Sequence, residues 1–171
     1  MPTIFTHPAV ALTRPWFGAT VTRGAVIAAI LGSILPDLDV AAFALGIPYA
    51  SPYGHRGVTH SLLFAVLYAL LASLALRAPR AFAFIFLCTV SHTLLDALTD
   101  GGLGVALLAP FSNERFFLPW RPIRVSPIGT RFFSARGIPT LVSELVWVWM
   151  PCVTAGLLGK YVVKRKREVR E

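Results

Sequence analysis

GVTHSLLFAVLYALLASLAL, residues 57–76, runs for 20 positions without a lysine, arginine or carboxylate and stops at Arg77-Ala78-Pro79-Arg80. At about 1.5 Å of rise per residue a helix of that length crosses a hydrocarbon core of about 30 Å. AFAFIFLCTVSHTLL, residues 81–95, follows with no charge, and Gly137 to Gly159 carries only Glu144. Gly24 to Pro36 and Val40 to His55 are shorter apolar runs on either side of an acidic Pro36-Asp37-Leu38-Asp39 turn. The pattern predicts an all-α polytopic membrane helix bundle of about four spanning helices, near 20–35, 57–77, 80–98 and 138–163. The stretch 40–50 is too short to span and reads as a half-helix or re-entrant piece packed on protein. A chain of 171 residues is expected to form a single membrane-embedded domain, 1–171. Within it, 99–137 reads as a long interfacial loop in which aromatics alternate with arginines, and 160–171 as a basic tail.

Composition agrees. Apolar residues make up 56% of the chain, against about 45–50% in soluble domains, and the mean hydropathy is +0.68. No basic region, short apolar run and small-residue cleavage site mark a secretory leader. Cys88 and Cys152 both fall in apolar runs without CxxC or Cys-His spacing, so a disulfide framework is not expected. The net charge of +8 comes from loops and ends adjoining apolar spans, which argues against nucleic acid and for the lipid bilayer and its anionic phospholipid headgroups. Placing both termini in the cytoplasm puts ten lysines and arginines inside and six outside, the direction the positive-inside bias favours.

Every histidine and aspartate lies in a short motif. His92 and Asp96 are four residues apart and share one helix face, so both can reach one cation, or the carboxylate can orient the imidazole. Asp100 would extend that stripe if the helix lasted past Gly101-Gly102. Asp37 and Asp39 diverge by about 200° on a helix but share a face on extended backbone; both ligate only if the backbone is not helical there, and otherwise one ligates while the other caps or bridges. His55-Arg56-Gly57-Val58-Thr59-His60-Ser61 offers two imidazoles, His55 in a turn and His60 in the first turns of the second span. Arg56 between them reads as an oxyanion clamp or as a snorkelling interfacial charge. His7 stands alone near the start, the weakest member of the set.

Ionised groups inside or beside a bilayer are costly and are kept where they are used. Mixed imidazole and carboxylate donors suit a divalent metal, zinc foremost and manganese or iron also, better than calcium or magnesium. Asp37, His60, His92 and Asp96 are the first-choice ligands. Asp39 and His55 are further ligands or the general base, and Arg56 stabilises phosphoryl oxygens. The chemistry that follows is hydrolytic. No phosphate-binding glycine loop, GxSxG elbow or Cys-His nucleophile pattern competes with it.

Leu35-Pro36-Asp37-Leu38-Asp39, His55-Arg56-Gly57-Val58-Thr59-His60-Ser61 and Ser91-His92-Thr93-Leu94-Leu95-Asp96, in that order between apolar helices, resemble the YdjM-like family. Gly101-Gly102-Leu103-Gly104 followed by Ala109-Pro110-Phe111-Ser112 fits the same pattern, and the likeness covers roughly residues 1–125. It implies a multi-pass protein of the bacterial inner membrane, of a group described as LexA-regulated, predicted metal-dependent hydrolases with a distant likeness to zinc-dependent phospholipase C. The family's N-terminal Thr-His would correspond to Thr6-His7, which adds His7 to the metal set. The function expected is hydrolysis of phosphoester bonds in a lipid or lipid-linked substrate. A divalent-ion or proton transporter using the same Asp/His cluster is the competing class, and a non-catalytic, metal-stapled membrane assembly factor is the third.

Overall fold

The structure is a computed structural model and describes all residues except 128–131, 134, 136, 170 and 171. Helix α1, Arg23–Ile34, starts where the Thr22 hydroxyl accepts the Ala25 N–H at 3.2 Å. Pro36 does not end it. The chain tightens into 3-10 turns over Leu35–Leu45 and stops at Gly46, whose φ of 71° is left-handed. The half-helix expected at 40–50 is thus, as far as Leu45, a continuation of the first span. The second span begins later than expected. A 3-10 turn at Val58–His60 is followed by Ser61 in extended conformation, and its hydroxyl caps α2, Leu62–Ala75, at the Phe64 N–H. His60 therefore sits ahead of the helix, on backbone that can aim its ring inward. Helix α3 is Phe82–Ala97. Helix α4, Gly137–Glu144, runs through one π-turn at Leu145–Trp149 into α5, Met150–Glu168.

By length and composition Arg23–Leu45, Pro79–Ala97 and Gly137–Glu168 can each cross a membrane, and Leu62–Ala75 is a shorter apolar helix beside them. Their outward faces are apolar: Leu67, Leu70, Leu71 and Leu74 on α2, and Val153, Leu157 and Leu158 on α5, are exposed. Where helices meet, side chains are small. Ala25, Ala29, Ala69 and Ala81 are wholly buried with Phe84 and Ile85, the close packing that holds helices together in lipid, where hydrophobic exclusion cannot.

Residues 7–20, unassigned by sequence pattern, wind as 3-10 turns interrupted at Gly18. They lie alongside α5 in the same direction: Thr6 bonds Glu144 at one end, and Trp16 Nε1 donates to the Ala155 carbonyl at 2.7 Å further on. The approach depends on two glycines of α5. A Cβ on Gly156 would come within 2.6 Å of the Leu12 carbonyl oxygen, and one on Gly159 within 2.9 Å of Trp16 Nε1. Residues 7–20 lead away from the aspartates, α1 returns to them, α2 leaves, α3 returns, and α4–α5 leave again. Residues 1–7 thus lie at the aspartate end of the bundle and Glu168 at the other.

The connection after α3 folds over the aspartate end. Val105 and Phe116 form an isolated bridge, as do Thr99 and Ile123, and the Leu107 carbonyl accepts the Leu62 N–H at 3.0 Å. Arg115 pins this cover by donating to the carbonyls of Tyr49, Ser51 and His55 at 2.9–3.1 Å. Of the arginines expected in this loop, Arg131 and Arg136 lie outside the described residues.

Candidate metal centre

Two helix ends and one turn converge. Asp37 comes from the 3-10 end of α1, His60 from the turn before α2, and His92 and Asp96 from the last turns of α3. His60, His92 and Asp96 are 0% exposed and Asp37 5%. Each offers a ligand atom, and the four atoms lie within 4.8 Å of one another. His7 Nε2 lies 3.7 Å from Asp37 Oδ2 and 3.9 Å from Asp96 Oδ1, and its ring stacks on His92 at 3.7 Å. The N-terminal histidine thus closes the cluster.

Hydrogen bonds fix which nitrogen of each ring points in. His92 Nδ1 is 2.8 Å from the Ser33 carbonyl, which can only accept, so Nδ1 carries the proton and Nε2 presents a lone pair. His60 Nδ1 lies 3.1 Å from Asp39 Oδ2, which turns Nε2 inward. The two Nε2 atoms stand 3.0 Å apart and face each other. Thr93 Oγ1 donates to the His60 carbonyl at 2.9 Å, which locks this turn to α3. An imidazole held from behind by a carboxylate or carbonyl, with its second nitrogen presented inward, is the usual arrangement of a metal-binding histidine.

Among the described residues, both oxygens of Asp37 and both nitrogens of His7 are buried without a hydrogen-bond partner, as are the oxygens of Asp96 apart from its ion pairs with Arg56 at 3.0 Å and the Met1 amino group at 3.9 Å. The nearest nitrogens to Asp37 are His92 Nε2 at 3.5 Å, His7 Nε2 at 3.7 Å and His60 Nε2 at 3.9 Å, and His60 Nε2 is 3.4 Å from Asp96 Oδ2. Those separations are long for hydrogen bonds. Two of them, 3.4 and 3.5 Å, fall within the spacing of ligand atoms around one tetrahedral ion, about 3.3–3.6 Å at metal–ligand distances of about 2.0–2.2 Å, and the 3.7 and 3.9 Å separations lie just beyond it. Unpartnered buried carboxylates are too costly to leave without a cation. The donor set fits a divalent metal.

Asp39 behaves differently. On the 3-10 backbone Asp37 and Asp39 face apart, and Asp39 collects His55 Nδ1 at 2.6 Å, Thr59 Oγ1 at 2.7 Å, the Arg56 N–H at 3.0 Å and His60 Nδ1. With four donors it is satisfied, and it organises the His55–His60 loop. Asp39, His55 and His60 also form a second group with metal-like spacing, but its carboxylate lacks the unmet demand seen at Asp37.

Arg56 is wholly buried, so it is not an interfacial snorkelling charge. Its Nε lies 3.0 Å from Asp96 Oδ2, and its terminal nitrogens donate to the Gly101 carbonyl and Thr99 Oγ1, each at 3.1 Å. The backbone at Arg56 is left-handed, φ 64°, at a cost of about 1–2 kcal/mol for a residue with a Cβ. That turn lets the main chain meet Asp39 while the side chain reaches Asp96.

Outside the membrane-spanning segments, two histidine shifts follow from these contacts. Burial, followed by the neighbouring His92, lowers His7 to about 3, which keeps it neutral and able to ligate. Burial also pushes His60 down, but its contact with Asp39 and the negative charges of Asp96 and Asp39 outweigh it and raise His60 to about 9.

The motifs did not point to the support of His7. Glu144, 1% exposed, accepts from the Thr3 and Thr6 hydroxyls at 2.6 and 2.7 Å and from the Thr3 N–H, and Trp149 Nε1 donates to Thr6 Oγ1 at 3.0 Å. A lone carboxylate in an apolar run was the available signal. Asp100 turns away, since α3 ends at Ala97, and pairs instead with Arg124 at 2.9 Å.

The chain matches the family described as YdjM inner membrane protein over residues 1–167. It is 41% identical over 160 residues to inner membrane protein YbcI of Escherichia coli K12, covering 88% of this chain and 92% of that protein. It is 39% identical over 141 residues to inner membrane protein YdjM of the same strain and of Shigella flexneri, covering 74% of this chain and 66% of each of those proteins. No solved structure matches. With the ordered Asp, His and His–Asp motifs on neighbouring helix ends, the match over nearly its whole length makes this chain a membrane protein of the YdjM family.

Proposed function

We propose that the protein is a metal-dependent hydrolase of the bacterial inner membrane that cleaves phosphoester bonds in a lipid or lipid-linked substrate. The observation that carries this reading is the pair of buried carboxylates, Asp37 and Asp96, that three inward-facing imidazole nitrogens approach without hydrogen-bonding. Asp37, His60, His92 and Asp96 would hold one divalent ion, with His7 as a fifth donor; zinc suits this set best. When bound, such an ion lowers the pKa of a water and polarises a phosphoryl oxygen. Asp39 holds His60 in the ligating tautomer. The His55–Asp39 pair, joined at 2.6 Å, is the group left to move a proton. Arg56, with its nitrogens on Asp96, Thr99 and Gly101, acts first by neutralising Asp96 and only through its remaining N–H groups on a phosphoryl oxygen.

A lipid substrate is supported by a wholly apolar groove of about 250 Å³ that starts at Val58 and Ser61, either side of His60, and follows Phe64, Leu67 and Leu71 along α2. Transport is less well supported, because buried polar groups deeper in the bundle bond their own helix: Ser73 to the Leu70 carbonyl and Thr89 to the Ile85 carbonyl. Arg14, Arg23, Arg77, Arg80 and the Lys160–Arg167 run gather at the end away from the centre, which by the positive-inside bias is cytoplasmic. The metal centre then faces the outer leaflet.

The test is metal content and phosphodiester hydrolysis of the detergent-purified protein beside a His92→Ala/Asp96→Asn variant of equal yield. Stoichiometric metal and turnover, both lost in the variant, are expected. Metal or turnover surviving in the variant refutes the site, and metal without turnover of any phosphoester leaves the metal-stapled assembly reading.

A further inference from the structure

At the end of the bundle away from the aspartates, residues 7–20 and the last turns of α5 diverge and leave a groove of about 560 Å³. Four cations line it, Arg14, Lys160, Lys164 and Arg167, against walls that include Pro15 and Val163. The single carboxylate there, Glu168, pairs with Lys164 at 3.6 Å. Arg14 is anchored, its Nε and Nη2 donating to the Val21 carbonyl at 3.2 and 3.0 Å. The groove therefore combines a fixed guanidinium, mobile ammonium groups and apolar walls at the end of an apolar helix. Trp16, 53% exposed and tied to α5 through the Ala155 carbonyl, stands beside Arg14 in the position aromatic rings take at the headgroup level.

We propose that this groove is a binding site for the headgroup of an anionic phospholipid in the leaflet opposite the metal centre. Three excess positive charges in the lining exceed what a zwitterionic headgroup needs. The apolar walls suit the glycerol and first methylenes of a lipid, which a free phosphate lacks. The site is built by residues that take no part in the aspartate cluster, so it stands or falls independently of the hydrolase reading. It would also explain why residues 7–20 are clamped on α5, since the lipid bridges the two segments where their direct contact ends.

The experiment uses the full chain in nanodiscs of phosphatidylcholine doped with phosphatidylglycerol, with bound lipid counted by native mass spectrometry after transfer to detergent. Lys160→Gln/Lys164→Gln removes two groove charges. Arg165→Gln/Lys166→Gln removes two from the other side of the same helix, where they line a separate groove of about 530 Å³ with Tyr161, Val162 and Val169 that carries half as many cations. Retention of phosphatidylglycerol over phosphatidylcholine by the wild type is expected, falling about fivefold per charge removed in the groove variant and less than about twofold in the control. Equal losses in the two variants would mean diffuse attraction and overturn the site, as would equal retention of both lipids. Full displacement of phosphatidylglycerol by millimolar inorganic phosphate would reassign the groove to a free anion.

Discussion

Replacing Asp37 by Asn should make the metal-free protein more stable and the metal-loaded protein no more stable than that. Around the centre, Arg56 and the Met1 amino group lie on Asp96 and the His60 ring on Asp39, while Asp37 is the carboxylate left without a hydrogen-bond donor. An uncompensated buried charge costs several kcal/mol, whereas a buried amide missing its partners costs about 1–3 kcal/mol. The exchange is therefore worth about 1–3 kcal/mol to the metal-free state. At about 2–4 °C per kcal/mol for a chain of this length, the chelator-treated variant melts about 2–12 °C above chelator-treated wild type. Wild type then gains about 2.7 kcal/mol when metal is supplied at 100 times its dissociation constant, and the variant gains nothing. Thermal unfolding in detergent, with chelator and with zinc, reads all four values. A variant that melts lower than wild type without metal, or that keeps the metal-dependent shift, refutes the assignment of Asp37 as an unmet ligand.

Asp39→Asn should weaken metal binding by about 10–100-fold, as loss of a carboxylate behind a ligating histidine does, while full stoichiometry returns at saturating metal in a competition titration; loss of stoichiometry would make Asp39 a direct ligand. Metal affinity should rise with pH. His60 at about 9 must release a proton to ligate, so the apparent affinity climbs about tenfold per unit up to pH 9 and levels above it, and a flat profile from pH 7 to 9 would show that His60 does not ligate. Glu144→Leu should release the Thr3–Thr6 segment and loosen His7, lowering metal affinity but leaving the four-residue set able to load; an unchanged affinity removes His7 from the centre. Gly156→Ala places a Cβ against the Leu12 carbonyl oxygen, which is backbone and cannot yield cheaply, and should cost about 1–3 kcal/mol in unfolding by heat.

The sequence made the candidate ligands legible because each motif contradicted its surroundings: an aspartate or histidine inside an apolar run is visible without a structure. Helix periodicity then paired His92 with Asp96 correctly in space. It carried no further to Asp100, because α3 ends at Ala97, in keeping with the Gly101-Gly102 pair that follows. The fork between Asp37 and Asp39 could not be decided from spacing, since the answer rests on 3-10 backbone that carries one carboxylate inward and the other to His55. His60 was assigned to a helix because residues 57–76 form one apolar run, and the Ser61 cap that separates it is a local hydrogen bond. Arg56 could be read as interfacial because nothing in its neighbourhood reveals that Thr99 and Gly101, more than 40 residues on, fold back over it. Residues 7–20 carried no periodic signal at all. Their place depends on two glycines of α5, and with it the position of His7.

The distribution of charge gives the strongest reason to think the centre needs an external cation. The chain has 16 lysines and arginines against eight carboxylates, so a buried aspartate might be expected to find a partner within the protein. Among the described lysines and arginines only Arg56 reaches the centre as an ion pair, beside the Met1 amino group at 3.9 Å from Asp96 Oδ1; Arg115 is spent on loop carbonyls and Arg124 on Asp100. The remaining described cations mostly cluster at the opposite end, about 18–24 Å away along α1 and α3 at about 1.5 Å per residue, beyond the roughly 8 Å over which exposed charges act at physiological salt. A fold that only needed to hold its helices together could have brought one more arginine across that gap, or replaced Asp37 with Asn. The proposed metal site gives a rationale for keeping Asp37 ionisable, buried and without a hydrogen-bond donor, with three imidazoles turned toward it: a doubly charged ion seated between them.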